Sequence, residues 1–103
     1  MEKNNEFIEM MQNNDFITIQ EKELTDEQVN VIYEFIDKKY INPSNLLNFP
    51  EQGQFKCGLT ANEYPNNDKN LKVTGAIVYI NFTMLEFMNI NYCIDHVELY
   101  YED

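Results

Sequence analysis

The stretch Leu71 to Met84, LKVTGAIVYINFTM, decides the architecture. After Lys72 it carries no charge until Glu86. Val73, Ile77, Val78, Tyr79, Ile80 and Phe82 are β-branched or aromatic, and such residues fit a pleated, half-buried surface. The run predicts a central strand with at least one face covered by other elements. Gly75 interrupts it, and a glycine inside a strand marks a bulge or a close backbone approach.

Working outward, residues 85 to 90 read as a turn around Met88-Asn89, and residues 91 to 101 as a last strand. The pattern of that strand slips at Asp95-His96. Tyr92 and Ile94 face inward before the slip, and Val97, Leu99 and Tyr101 after it, so a bulge there reconciles the halves. On the other side, ANEYPNNDKN (61 to 70) is a polar loop of turn formers. QFKCGLT (54 to 60) alternates strictly and places Phe55, Cys57 and Leu59 on one face of a strand. Residues 41 to 53, with Pro43, Pro50 and Gly53, are an irregular connection.

The strongest local signal is Leu24-Thr25-Asp26-Glu27-Gln28-Val29. Thr25 is an N-cap, Gln28 completes a T-x-x-Q capping box, and Leu24 with Val29 forms a hydrophobic staple. Asp26 and Glu27 complement the positive end of the helix dipole. Val29, Ile32, Tyr33, Ile36 and Tyr40 make one helical stripe, and Asn42-Pro43 ends the element, so a helix is expected over 26 to 40. An earlier helix is expected over 2 to 13, with Phe7, Met10 and Met11 on one face and Glu2, Glu6 and Glu9 on the other. FITIQ (16 to 20) alternates as a short strand. The expected fold is a single α+β domain over 1 to 103. It is two-layered: an antiparallel β meander of about three to four strands with two helices packed on one face, in the order α-β-α-β-β-β.

The charge is the most informative part of the composition. Eighteen acidic residues face seven lysines with no arginine, for a formal charge of −11. A chain this negative is repelled by phosphate backbones and anionic membranes and attracted to basic surfaces. Acidity that merely keeps a small domain soluble is the plain alternative. The N-terminal stretch MEKNNEFIEMMQNND is acidic and amphipathic, unlike a secretory signal or transit peptide, so a cytoplasmic location is expected.

Motifs with specific chemistry are weak. Cys93-x-x-His96, with Cys57 as a third ligand, lacks the fourth ligand of structural zinc, and residues three apart on a regular strand face opposite ways. Asn66-x-Asp68-x-Asn70 resembles the start of a calcium loop, but Leu71 and Ile77 occupy its glycine and glutamate positions. Asn81-Phe82-Thr83 is a sequon within a predicted strand and is set aside. Cys57 and Cys93 are expected to be reduced, partly buried small hydrophobes, with a disulfide open only to neighbouring strands. No metal or cofactor is expected, and no enzyme activity.

The charge, size and composition instead match small acidic proteins that inhibit or protect by binding. The expected partner is a basic protein surface on a nucleic-acid enzyme, such as a CRISPR effector or another host nuclease met by a phage-encoded inhibitor, engaged in place of nucleic acid. Direct nucleic-acid binding and membrane binding are not expected. The candidate contact residues are Glu98, Tyr100, Tyr101, Glu102 and Asp103 at the C-terminal end, with Glu2, Glu6 and Glu9 on the first helix. Carboxylates beside aromatic rings suit arginine, by bidentate pairing and cation–π contact. Two alternatives stand beside this reading: an immunity or accessory domain that homodimerises through an edge strand, and a small enzyme using Cys57 or Cys93.

Overall fold

The computed structural model describes residues 15–41, 50–86 and 89–102. Four strands form one antiparallel sheet: β1 (Asp15–Gln20), β2 (Gln52–Thr60), β3 (Lys72–Glu86) and β4 (Asn89–Glu102), in the spatial order β1-β4-β3-β2. β2, β3 and β4 are the expected meander. β1 adds to the far side of β4, so the chain between β1 and β2 crosses the sheet from one edge to the other. A 3-10 turn (Glu21–Glu23) and one helix, α1 (Asp26–Lys39), lie within that crossing.

The start of α1 is fixed as its sequence dictates. The Gln28 N–H donates to Thr25 Oγ1 at 3.1 Å, and the Thr25 N–H donates to Gln28 Oε1 at 2.9 Å. Gln28 is buried, and its Nε2 donates to the Pro65 carbonyl at 3.0 Å, which ties the helix to the 61–70 loop. Lys38 and Lys39 occupy the last turn, where cations complement the dipole.

Ile32 and Ile36 of α1 are fully buried against Cys57 and Leu59 of β2, Ala76, Val78 and Ile80 of β3, and Ile94, Val97 and Leu99 of β4. Val29, Tyr33 and Tyr40 pack at the rim of this core, as the stripe predicted. Phe55 also borders it, within 5.6 Å of the Phe82 ring and 6.0 Å of the Tyr40 ring.

Two bulges set which side chains reach that core. Val73 pairs with Tyr101 but Gly75 with Tyr100, so Thr74 is an extra residue on β3, next to the glycine expected to mark a bulge. It turns Val73 toward the core. Tyr79 pairs with His96 but Ile80 with Ile94, so Asp95 is the extra residue on β4, at the predicted slip. The Ile94 N–H donates to Tyr33 Oη of α1 at 3.2 Å. A third shift falls at Leu85, before Glu86 pairs with Asn89.

The expectation of two helices in the order α-β-α-β-β-β is met in part. Among the described residues the order is β-α-β-β-β with one helix, and the helix expected over 2 to 13 lies outside them. Strand ends differ from expectation by two residues or fewer: β3 runs to Glu86 where the sequence predicts 71 to 84, and β4 begins at Asn89 where it predicts a start at 91. No described helix is long and apolar enough to cross a membrane.

Candidate functional site

Directly paired residues of antiparallel strands project to the same side of a sheet. Phe16 on β1, Glu98 and Tyr100 on β4, Tyr79 and Asn81 on β3, and Gln54 and Lys56 on β2 therefore share the face opposite α1. Their polar groups form a connected row. Tyr79 Oη and Tyr100 Oη donate to the same Glu98 oxygen, at 2.9 and 3.0 Å. The Tyr79 ring stacks on His96 with centroids 4.3 Å apart and 14° between planes. Lys56 Nζ lies 5.6 Å from the centroid of the Tyr79 ring. Asp95 Oδ2 lies 2.6 Å from His96 Nδ1, and Asp95 Oδ1 accepts from Asn81 Nδ2 at 3.0 Å. Asn81 Oδ1 in turn accepts from Gln54 Nε2 at 3.0 Å.

The electrostatics follow from these contacts. The hydrogen bonds from His96 and then Asn81 hold the Asp95 carboxyl below its ordinary 3.8. Burial, reinforced by the hydrogen bond to Glu98, raises both Tyr79 and Tyr100 above 10.0. Both tyrosines therefore stay neutral donors at neutral pH, and Glu98 is fixed as their acceptor.

The structure separates the residues that the sequence grouped as contacts. Glu98 and Tyr100 share the face opposite α1, and Glu102 follows by alternation at the exposed end of β4, paired with Lys72. Tyr101 projects to the α1 side and pairs with Val73. Tyr100 is only 2% exposed, so it positions Glu98 instead of offering its ring to a partner. Glu2, Glu6, Glu9 and Asp103 lie outside the described residues. Sequence reasoning missed Phe16, Tyr79 and Asn81 as members of this row. The alternation of FITIQ and of the central strand carried that signal once the Asp95 bulge was placed.

Many carboxylates are used inside the fold. Glu23 accepts from the Gln20 N–H at 3.0 Å, and Glu63 from the Thr60 N–H at 2.8 Å. Asp68 accepts from the Asn70 N–H at 3.0 Å, while Asn66 bonds the backbone around it, so the calcium-like stretch is a self-bonded turn. Asp37 accepts from the Tyr92 hydroxyl, and Glu34 pairs with Lys38 at 3.2 Å on the exposed side of α1.

The two cysteines differ. Cys57 is buried in the core, and burial pushes its thiol up to about 12, so it is a protonated packing group. Cys93 is exposed, against the expectation that both would be partly buried, because its β4 position faces away from the core. Both are free, and β3 lies between their strands. The Asp95 bulge also corrects the parity used against a Cys93–His96 pair: Cys93 pairs with Asn81 and His96 with Tyr79, which places them on one face. Among the described residues no group of three or more histidine, cysteine or carboxylate side chains is arranged to hold a metal. A shallow groove of about 300 Å³ runs past Cys93, lined by Asn81, Phe82, Thr83, Asn91 and Tyr92.

Comparison with known proteins returns no matching family model, no matching curated protein and no matching solved structure.

Proposed function

We propose that this protein is a binding protein that engages a basic surface on a nucleic-acid enzyme, such as a nuclease or CRISPR effector, and occupies that surface in place of nucleic acid. The observation that carries the reading is the charge of −11 on a chain with no arginine. A field of that sign steers association with basic surfaces and opposes association with phosphate. The contact falls at the sheet face opposite α1 and the neighbouring end of β4. There Glu98 is held by two tyrosine hydroxyls and Glu102 is exposed. A carboxylate already fixed in place loses little rotamer freedom on meeting an arginine.

The experiment is affinity capture on the immobilised protein, followed by nucleic-acid binding by the captured enzyme with and without the protein. The reading predicts that nucleic-acid binding falls as the protein is added. An enzyme that holds both at once contradicts it.

A further inference from the structure

We propose that the outer edge of β1 receives an extended, lysine- or arginine-bearing segment of the partner as an added strand of the sheet. This rests on the reading of the partner as basic and names how part of it docks. β1 is a terminal strand, paired on its inner side with β4, and among the described residues no strand lies on its outer side. The backbone direction is fixed by one contact. The Gln20 N–H donates to Glu23 Oε1 at 3.0 Å, so it points away from β4. Alternate residues of an antiparallel strand direct their N–H and C=O groups the same way, so those of Thr18 and Phe16 also point outward.

Within β1 the edge lacks the guards that sheet edges usually carry. Lysine, proline and bulges blunt natural edges. β1 has none of these and pairs without a shift from Asp15 opposite Tyr101 to Gln20 opposite His96. The other edge, β2, carries Lys56, follows Pro50, and holds Gly53 at φ 156°, a conformation that side-chain-bearing residues rarely adopt. Phe16 is 48% exposed and Ile17 is 41% exposed, and they project to opposite faces of β1. One added strand covers both, and its backbone satisfies the outward groups between them.

Charge selects the occupant. Among the described residues at the two ends of β1, Asp15, Glu21 and Glu23 stand against one cation, Lys22, and Glu98 lies one strand inward, opposite Thr18. A second copy of the chain carries the same charge of −11 and is repelled. A segment with basic residues alternating with apolar ones lays its cations on the face of Phe16 and Glu98 and its apolar side chains on the face of Ile17.

The test uses the full chain and a blocked peptide of alternating valine and lysine, with a glutamate-for-lysine copy and a fully N-methylated copy as controls. Binding is measured by calorimetry, and the bound region by amide hydrogen exchange. The lysine peptide is expected to bind and to slow exchange at Phe16 and Thr18. The glutamate copy is expected not to bind, and the N-methylated copy to bind more weakly by on the order of tenfold. Thr18→Pro removes only an outward N–H and is expected to weaken the lysine peptide to a similar degree. Thr18→Lys, which keeps the backbone intact and guards the edge, is expected to do the same with an unchanged melting temperature. Equal binding by the N-methylated copy, or by both Thr18 variants, overturns strand addition while leaving attraction to basic surfaces intact. A wild-type dimer in sedimentation that Thr18→Lys abolishes overturns it in favour of a second copy. No binding of the lysine peptide at low salt also overturns it, and salt-dependent binding of a captured enzyme then decides the broader reading separately.

Discussion

Gln28 closes three hydrogen bonds at the start of α1: two with Thr25 and one with the Pro65 carbonyl. Thr25→Ala removes the cap and is expected to cost about 1 kcal/mol. Gln28→Ala also leaves the part-buried Pro65 carbonyl without its donor and is expected to cost about 1–2 kcal/mol. Denaturant melts of both variants check the order. Titration gives a second test. Asp95 is held below its ordinary 3.8, so its contribution to stability is present above that pH and is lost as pH falls through the lower folded value. Asp95→Asn should therefore flatten the acid limb of the stability curve. The tyrosines behave oppositely. Tyr33, Tyr40, Tyr64, Tyr79, Tyr92 and Tyr100 are all raised above 10.0, with burial as the largest cause in each. Their neutral forms favour the fold, so stability is full below 10.0 and falls as pH rises beyond it. Tyrosinate absorbance followed together with circular dichroism should show ionisation and unfolding as one cooperative step. Independent tyrosine titrations within a folded chain would contradict that. The thiols offer a third test: Cys93 should react with a thiol reagent in the native state, while Cys57 should react only on unfolding.

α1 and the central strands hold the fold through Ile32, Ile36, Val78 and Val97, all fully buried. Ile36→Ala is expected to cost about 2–5 kcal/mol. Ile17→Ala on the exposed edge should cost much less, and equilibrium melts of the pair check the contrast. These elements were legible because their patterns are local. The capping box marks where α1 starts, strict alternation marks β2, and the slip at Asp95-His96 marks the bulge, since apolar side chains must regain the core side after it. The place of β1 was not legible. Pairing with β4 joins residues more than seventy positions apart and leaves no local mark, and Phe16, Ile17 and Ile19 give the strand apolar groups on both faces. The tie of Glu98 to Tyr79 and Tyr100 was hidden for a similar reason, because one partner comes from β3 and the other is buried only in the folded sheet. That tie also makes Glu98 unsuited to charge reversal. Glu98→Lys would strand the hydroxyls of the buried Tyr100 and the half-buried Tyr79 and lower stability, so binding tests belong at exposed carboxylates.

The whole molecule carries a formal charge of −11. Part of the acidity serves the fold, through the caps at Glu23 and Glu63 and the acceptors at Asp37, Asp95 and Glu98. Asp15, Glu21 and Glu102 are exposed at the two ends of the β1–β4 ladder, where a basic partner would meet them. Reversing these three to lysine should change stability little, since surface substitutions usually stay within about 0.5 kcal/mol. The same triple should slow binding. The most direct measurement is the association rate constant with a captured enzyme as a function of ionic strength, for wild type and for the triple reversal. The Debye length shrinks from ~10 Å at 0.1 M to ~3 Å at 1 M salt. If charge steers the binding, the wild-type rate falls steeply with added salt, and the triple variant is slower with a shallower slope. A rate that is flat in salt and equal for both proteins would contradict it.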